Sequence, residues 1–325
     1  MTTTLALDDT AHAIRTDTPE RSPAERLRTT MAAVKLSFTW LGVRRALAPD
    51  DRSTAARVFD ADRELLSASK TILDIRDPAY RAVARVRSEA STYWRTVTIP
   101  FPEAGIRLIN QNSLGLFAST MGSFRERLHE AARGLADRYD LIKEEAQRRL
   151  GRLFDPGDYP PSLEGLFDVE VSYPTIEPPG YLMALHPEVF RAEQARVRER
   201  FEAAIELAEQ GFATELGRLM SHLAERLSGT GDGKPRIFRD SAIENIREFV
   251  TRFARLNVRS SRELDELVQQ AGATVSGIVP QELRDSRRLR EAVAEDARRI
   301  EEAVELFMAE RPRRAIQRRP AGAVA

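Results

Sequence analysis

Apolar and polar positions along this chain follow two periods. In residues 32–43, AAVKLSFTWLGV, the side chains Val34, Leu36, Phe38 and Trp40 alternate with Lys35, Ser37 and Thr39. A period of two in β-forming residues predicts a half-buried strand over 34–40, with Trp40, Phe38 and Leu36 on its packed side. A helix carrying Val34, Phe38 and Leu41 is the competing reading. Residues 96–110 hold two short β-like runs around Pro102-Glu103-Ala104-Gly105 and predict a hairpin with one strand kept at an edge by proline. Phe167, Val169, Val171 and Tyr173 alternate with Asp168, Glu170 and Ser172, as a strand would.

Elsewhere the period is helical. Pro49-Asp50-Asp51 opens a helix expected to carry Val58, Leu65, Leu66 and Ile72, and Asp77-Pro78 opens another with Tyr80, Val83, Val86, Ala90, Tyr93 and Trp94 on its apolar face. From Ser113 to Phe154 the apolar positions recur three or four apart: Leu114, Phe117, Met121, Phe124, Leu128, Ala131, Leu135, Tyr139, Ile142, Ala146, Leu150 and Leu153. This is a sustained seam of a and d type. Pro187 opens a second seam that runs to Ser228 through Phe190, Val197, Phe201, Ile205, Ala208, Phe212, Leu216, Leu219, Leu223 and Leu227. Two equal seams joined by one excursion predict an antiparallel, coiled-coil-like helical hairpin. Its arms would be about 60 Å long at about 1.5 Å per residue, with Leu128 and Leu135 buried against the second arm. The excursion 155–186 holds Pro156, Pro160, Pro161, Pro174, Pro178 and Pro179 and would form a stiff tip.

Three further apolar faces follow the loop 229–239: Ile243 to Leu256, Leu264 to Val275, and a last helix after Pro280 carrying Leu289, Val293, Ile300, Val304 and Phe307. The expected fold is therefore mainly α, a long helical hairpin plus C-terminal helices and a small β element. The expected organisation is a tail over 1–22, an α+β part over 23–112, the hairpin over 113–228, a C-terminal helical part over 229–310 and a basic tail over 311–325.

Composition narrows the chemistry. Hydrophobic residues are 42% and charged residues 31% of the 325, which marks a globular chain. Lys+Arg and Asp+Glu number 50 each, so no bulk charge points to nucleic acid or an anionic surface. Cysteine is absent, which removes disulfides, thiolate metal sites and cysteine nucleophiles. The polar N-terminus has neither the basic start nor the apolar run of a signal peptide, and no stretch of about 18 apolar residues occurs, so a cytoplasmic protein off the membrane is expected.

Candidate motifs reduce to ordinary features. Ser228-Gly-Thr-Gly-Asp-Gly-Lys234 suggests a phosphate loop, but Ser228 stands where the first Gly belongs and Pro235 follows the Lys. His12, His129, His186 and His222 have no second ligand at a metal spacing. Asp155, Asp158, Asp168 and Glu170 do not follow a calcium-loop pattern. No catalytic residue, cofactor or metal ligand is assigned. The expected interaction residues are Leu163, Leu166, Phe167 and Tyr173 at the hairpin tip. Arg311, Arg313, Arg314, Arg318 and Arg319 lie in a segment free of acids and are the candidate nucleic-acid contacts.

The runs FTWLGVRRALAP at 38–49, DYPPSLEGLF at 158–167 and KPRIFRDSAIENIREF at 234–249 resemble an uncharacterised family of bacterial and phage-type helical proteins, a domain of unknown function. The resemblance covers most of residues 30–315. It implies a partner in an ATP-driven assembly of the AAA type and brings no catalytic motif with it. The expected function is a non-enzymatic structural or adaptor protein. It would form a homo-oligomer or dock a protein partner through its long helices and the hairpin tip. Two alternatives stay open. One is a nucleic-acid-associated factor using the Arg-rich segment. The other is a membrane-active helical protein inserting 160–180, against which Asp168, Glu170 and Glu177 stand as costly charges in lipid.

Overall fold

The computed structural model describes residues 22–228 and 240–310. The tail ahead of Ser22, the Gly-rich loop 229–239 and the Arg-rich segment with its candidate contacts lie outside the described residues.

The chain enters through α1 (Pro23–Thr30), where Ser22 and Glu25 form a capping box ahead of Pro23. It passes directly into β1 (Met31–Trp40), the strand expected from the alternation. A small ladder follows, β2 (Arg44–Ala46) against β3 (Ser69–Thr71), with α2 (Pro49–Val58) between them. The helix expected to run on to Ile72 stops at Val58. Val58 and Leu65 are exposed while Ile72 is buried, and Asp60 takes a positive φ of 48° just past the helix. These apolar residues are too sparse to keep a helical stripe against the core.

Next come α3 (Pro78–Val97), capped by Asp77 accepting from the N–H groups of Ala79 and Tyr80, then β4 (Ile99–Pro100) and β5 (Ile106–Asn110), the expected hairpin. After α4 (Leu114–Ala136) the long seam is interrupted at Asp137-Arg138. It resumes as α5 (Tyr139–Leu150) and ends where Gly151 takes a φ of 55°. The strand β6 (Phe167–Ser172) completes an antiparallel sheet of order β4-β5-β1-β6.

This sheet decides the packing of the first two-thirds of the chain. In register, Leu36 faces Val171, Phe38 faces Val169 and Trp40 faces Phe167. The Trp40 and Phe167 rings meet edge to face at 4.9 Å, and Arg87 lies over the Trp40 ring at 4.6 Å. This face of the sheet is covered by α3 and α4, in one core that includes Val34, Val83, Phe117 and Val169.

Leu128 and Leu135 sit in that core, both fully buried. They are not buried against the second long helix, and the expected hairpin does not form. The helix α4 packs on α3 and β6, whereas α7 (Pro187–Ser228) packs on α1, β4 and elements further along the chain. A helical seam specifies a stripe in need of cover, not the surface that covers it. Once β6 extends the sheet, a sheet face is available to α4.

The proline-rich excursion is consequently not a tip. Its Tyr159 and Leu163 are buried, Tyr159 donates its hydroxyl to the Ile72 carbonyl at 3.0 Å, and Tyr139 donates to the Pro160 carbonyl at 3.0 Å. Burial pushes the Tyr159 hydroxyl up to about 12, so it remains a donor. Lys70, itself buried, binds the Leu153 carbonyl at 2.7 Å and pairs with Asp158 at 2.6 Å.

A short helix, α6 (Tyr181–Leu185), leads into α7, whose first half covers the other face of the sheet. Val197, Phe201, Ala204 and Ala208 pack there with Leu27, Met31 and Leu108. Its second half belongs to a different core, built with α8 (Ser241–Leu256), α9 (Arg262–Val275), α10 (Pro280–Asp285) and α11 (Arg287–Ala309). The expected last helix is divided at Ser286, which caps α11 by accepting from the Leu289 N–H at 3.2 Å. The apolar positions read from the sequence, from Ile243 to Leu256 and from Leu264 to Val275, are the buried ones. The expected boundary at 229 thus falls inside one packed core, since α7 extends through both. Gly217 of α7 faces Val304 of α11, Thr214 lies beside Met308, and Ser228 accepts from Arg298, so α11 runs antiparallel along α7.

Candidate functional site

The first half of α7 borders an open cleft of about 660 Å³. Its walls come from three places: the β4–β5 turn, the segment between β6 and α6, and the leading turns of α7. Val189 and Val197 of α7, Leu182 of α6, Ile176 and Pro178-Pro179 supply an apolar lining. The prolines fix an extended path that leaves this wall without a hydrogen-bonded ladder.

Charges at the rim are paired within the chain. Arg28 of α1 donates both Nε and Nη2 to Glu177 at 2.6 Å, and Glu177 holds the Arg28 guanidinium above its ordinary pKa. Arg200 lies 3.8 Å from Glu103, and Arg196 pairs with Glu193. Salt bridges this exposed contribute little to stability. They do neutralise the rim, and the cleft presents a mixed surface in which Glu103, Thr175, Glu177, Glu193 and Arg200 stand beside the apolar residues.

Beside the cleft the same segment exposes large apolar side chains. Tyr181, Met183 and Leu185 on α6 are 64, 64 and 67% exposed, and Val189 is 48% exposed. Tyr173, 49% exposed, precedes them. Tyr181 and Leu185, four residues apart, share one side of α6. Single exposed apolar residues are common on protein surfaces; here four of them fall within nine residues.

Of the expected interaction residues, only Tyr173 is exposed. Leu163 and Phe167 are 3 and 2% exposed and belong to the core beneath the sheet, and Leu166 is half-buried against the same core. They were expected at a free tip. The alternation that made β6 a strand also turned Phe167 and Val169 inward. The membrane alternative meets the same obstacle, because its proposed tongue supplies part of the core, and no helix among the described residues is long and apolar enough to cross a membrane.

The titratable clusters read from the sequence resolve into separate local roles. Asp155 caps a turn by accepting from the Gly157 N–H at 2.8 Å, and Glu170 is exposed opposite Ser37. Asp168 joins β6 to α4. Arg125 donates to both its oxygens at 2.8 and 2.7 Å, His129 Nε2 lies 2.9 Å from Oδ1, and the Val169 N–H donates to Oδ1 at 2.8 Å. The Arg125 guanidinium, with the Val169 N–H and His129, holds the Asp168 carboxyl well below the usual carboxylate range. An anion so fully engaged is a clamp between strand and helix rather than a proton acceptor. Arg226 donates to His222 at 3.2 Å, and the His186 N–H closes α6 by donating to the Leu182 carbonyl at 2.8 Å. Among the described residues no three His, Asp or Glu side chains converge as a metal site.

The exposed group Tyr181, Met183, Leu185 and Val189 was missed by sequence reasoning. The run GYLMALHP carries five apolar residues that fit neither the preceding alternation nor the following seam. That misfit is the signal that was present. Comparison of the chain with family models, with curated proteins and with solved structures finds no match.

Proposed function

We propose that this chain is a non-enzymatic structural or adaptor protein that associates with a protein surface, in the first place a second copy of itself, through the face formed by residues 173–189. One observation carries the reading: Tyr181, Met183, Leu185 and Val189 are all about half or more exposed within nine residues. The neutral rim supports it. The centres of protein interfaces are depleted in charge and enriched in aromatic residues and Met, and burying this face would strip water from few unpaired ions. The resemblance noted in the sequence extends the same reading to an ATP-driven or phage-type assembly.

The test is solution mass by light scattering at tens of micromolar, on the wild type and on the double variant Met183→Asp/Leu185→Asp. Association predicts a mass above the 36.6 kDa of one chain for the wild type and a return to 36.6 kDa for the variant. Both substituted side chains are exposed, so the variant should keep its helix content. A wild type that stays at 36.6 kDa throughout would rule out self-association through this face.

A further inference from the structure

The sheet keeps one stretch of edge that no strand covers. Pro100 has no N–H, so in the short β4–β5 ladder the hydrogen-bonded pair is Ile99 with Leu108. Leu108 therefore directs its backbone groups at β4, and its neighbours Arg107 and Ile109 direct theirs at Val34 and Ala32 of β1. The same alternation along β1 turns Lys35, Ser37 and Thr39 towards Ser172, Glu170 and Asp168 of β6. It points the N–H and C=O groups of Phe38 and Trp40 to the side where β5 lies. There β5 starts only at Ile106, opposite Lys35. Phe38 and Trp40 extend past its end, and among the described residues their backbone groups have no hydrogen-bond partner. The Val169 N–H agrees with this geometry, since it donates to the Asp168 carboxylate and not to Phe38 across the ladder.

The outer edges of the sheet are protected. On β4 stands Pro100, and on β6 the Asp168 carboxylate, itself held by Arg125 and His129 of α4, takes the outward Val169 N–H. Residues 37–41 carry none of these devices. They read Ser-Phe-Thr-Trp-Leu, with no charge and no proline, and the pairing with β6 runs through 37–40 without a bulge. Phe38 and Trp40 stand half-buried on the core side, with the Arg87 guanidinium over their rings at 5.2 and 4.6 Å. Ser37 and Thr39 are exposed on the opposite side. An uncharged strand edge of this kind is a template for another strand.

We propose that this edge pairs with the same edge of a second copy, antiparallel about a two-fold axis at Thr39, so that one sheet runs through both chains. The free stretch 37–41 is centred on Thr39, since β5 occupies the edge from Lys35 back to Met31. In this register Phe38 of each copy exchanges both backbone bonds with Trp40 of the other, which satisfies every free group of the two residues, and Thr39 meets Thr39 between them. Aromatic–aromatic and Thr–Thr pairs are favoured cross-strand neighbours, and 37–41 holds no charge to be set against its copy. The edge is self-complementary, as a two-fold contact requires. It is also a smaller contact than the roughly 800 Å² per partner of a stable complex. It is therefore weaker than the face 173–189 and separate from it, and it closes at protein concentrations above those at which that face is tested.

The absence of native cysteine makes the register readable. Thr39→Cys and Ser37→Cys, both at exposed positions, are made separately in the full-length Met183→Asp/Leu185→Asp chain. Association through the face 173–189 is removed there, so the outcome bears on the β1 edge alone. Mild oxidation is timed at protein concentrations above those of the light-scattering test, and each rate is divided by that thiol's alkylation rate. In the paired edge Thr39 faces its copy at a Cα separation of about 4.5 Å, within disulfide reach. Ser37 lies about 14 Å from its copy, four residues along the strand at about 3.4 Å each. The interchain disulfide should therefore form on the order of tenfold faster at Thr39→Cys. Amide exchange in the same chain without cysteine gives a second readout. The Phe38 and Trp40 N–H groups should exchange about tenfold more slowly in concentrated than in dilute protein, with the Val34 N–H, already bonded to β5, unchanged. Equal normalised rates at the two cysteines, or a faster rate at Ser37→Cys, would overturn the proposal. Exchange at Phe38 and Trp40 that is independent of protein concentration would overturn it too.

Discussion

Gly217 is where α11 comes close to α7, and enlarging it tests that pairing. An ideal Cβ at this position would lie 3.3 Å from Val304 Cγ1, inside the comfortable carbon–carbon separation of about 3.5–4.0 Å. Replacement by Leu adds a branched side chain in front of Val304, which is 1% exposed. Overpacking of this kind costs about 1–3 kcal/mol. Removing a helical glycine returns about 0.5–1 kcal/mol. Gly217→Leu should therefore lower stability by up to about 2.5 kcal/mol, whereas Gly211→Ala, with open space around its Cβ, should raise it by about 0.5–1 kcal/mol. In the double variant Gly217→Leu/Val304→Ala the smaller residue relieves the clash, so the two changes should couple favourably by at least about 0.5 kcal/mol. The assay is urea unfolding read by circular dichroism at 222 nm and by tryptophan fluorescence in parallel. Trp40 and Trp94 both pack against the core beneath the sheet, so fluorescence reports that core alone. A shift in the ellipticity transition that leaves fluorescence unmoved would place the damage in the C-terminal core. If Gly217→Leu stabilised the chain as much as Gly211→Ala, α11 would not lie against α7 at this point.

Three further outcomes follow from the packing. Phe167→Asp places a charge at a position 2% exposed and removes the edge-to-face contact with Trp40, so the chain should lose its folded near-ultraviolet dichroism rather than merely change its oligomeric state. Lys70→Met leaves Asp158 without its cation and should cost about 3–5 kcal/mol in urea unfolding, the range for a buried pair stripped of one partner. Asp168, held below its ordinary pKa first by Arg125, contributes stability that is complete above the unfolded-state value of about 3.9 and is lost as pH falls towards the folded value. Asp168→Asn should therefore reduce stability at pH 7 and weaken its dependence on pH below about 4, as followed by thermal unfolding across pH.

Local pattern and tertiary context contributed differently to this fold. The alternation at 34–40 was enough to specify a strand and its packed side, because side chains on a strand must alternate whatever lies above them. The faces from Ile243 to Leu256 and from Leu264 to Val275 were legible for the same kind of reason, since a helix fixes which residues share a side. What covers each face was not legible. Hydrophobic burial is non-directional, so the seams of α4 and α7 were equally compatible with each other, with a sheet, or with later helices. The choice depended on β6 pairing with β1, a contact between Trp40 and Phe167 that spans more than a hundred residues. That one pairing drew α4 onto the sheet and buried Leu163 and Phe167. The exposed group around α6 emerged only afterwards, as the apolar residues that no covering surface reached. Sequence alone therefore determined which side chains each element turns inward, and the tertiary structure alone decided which surfaces meet and which remain exposed.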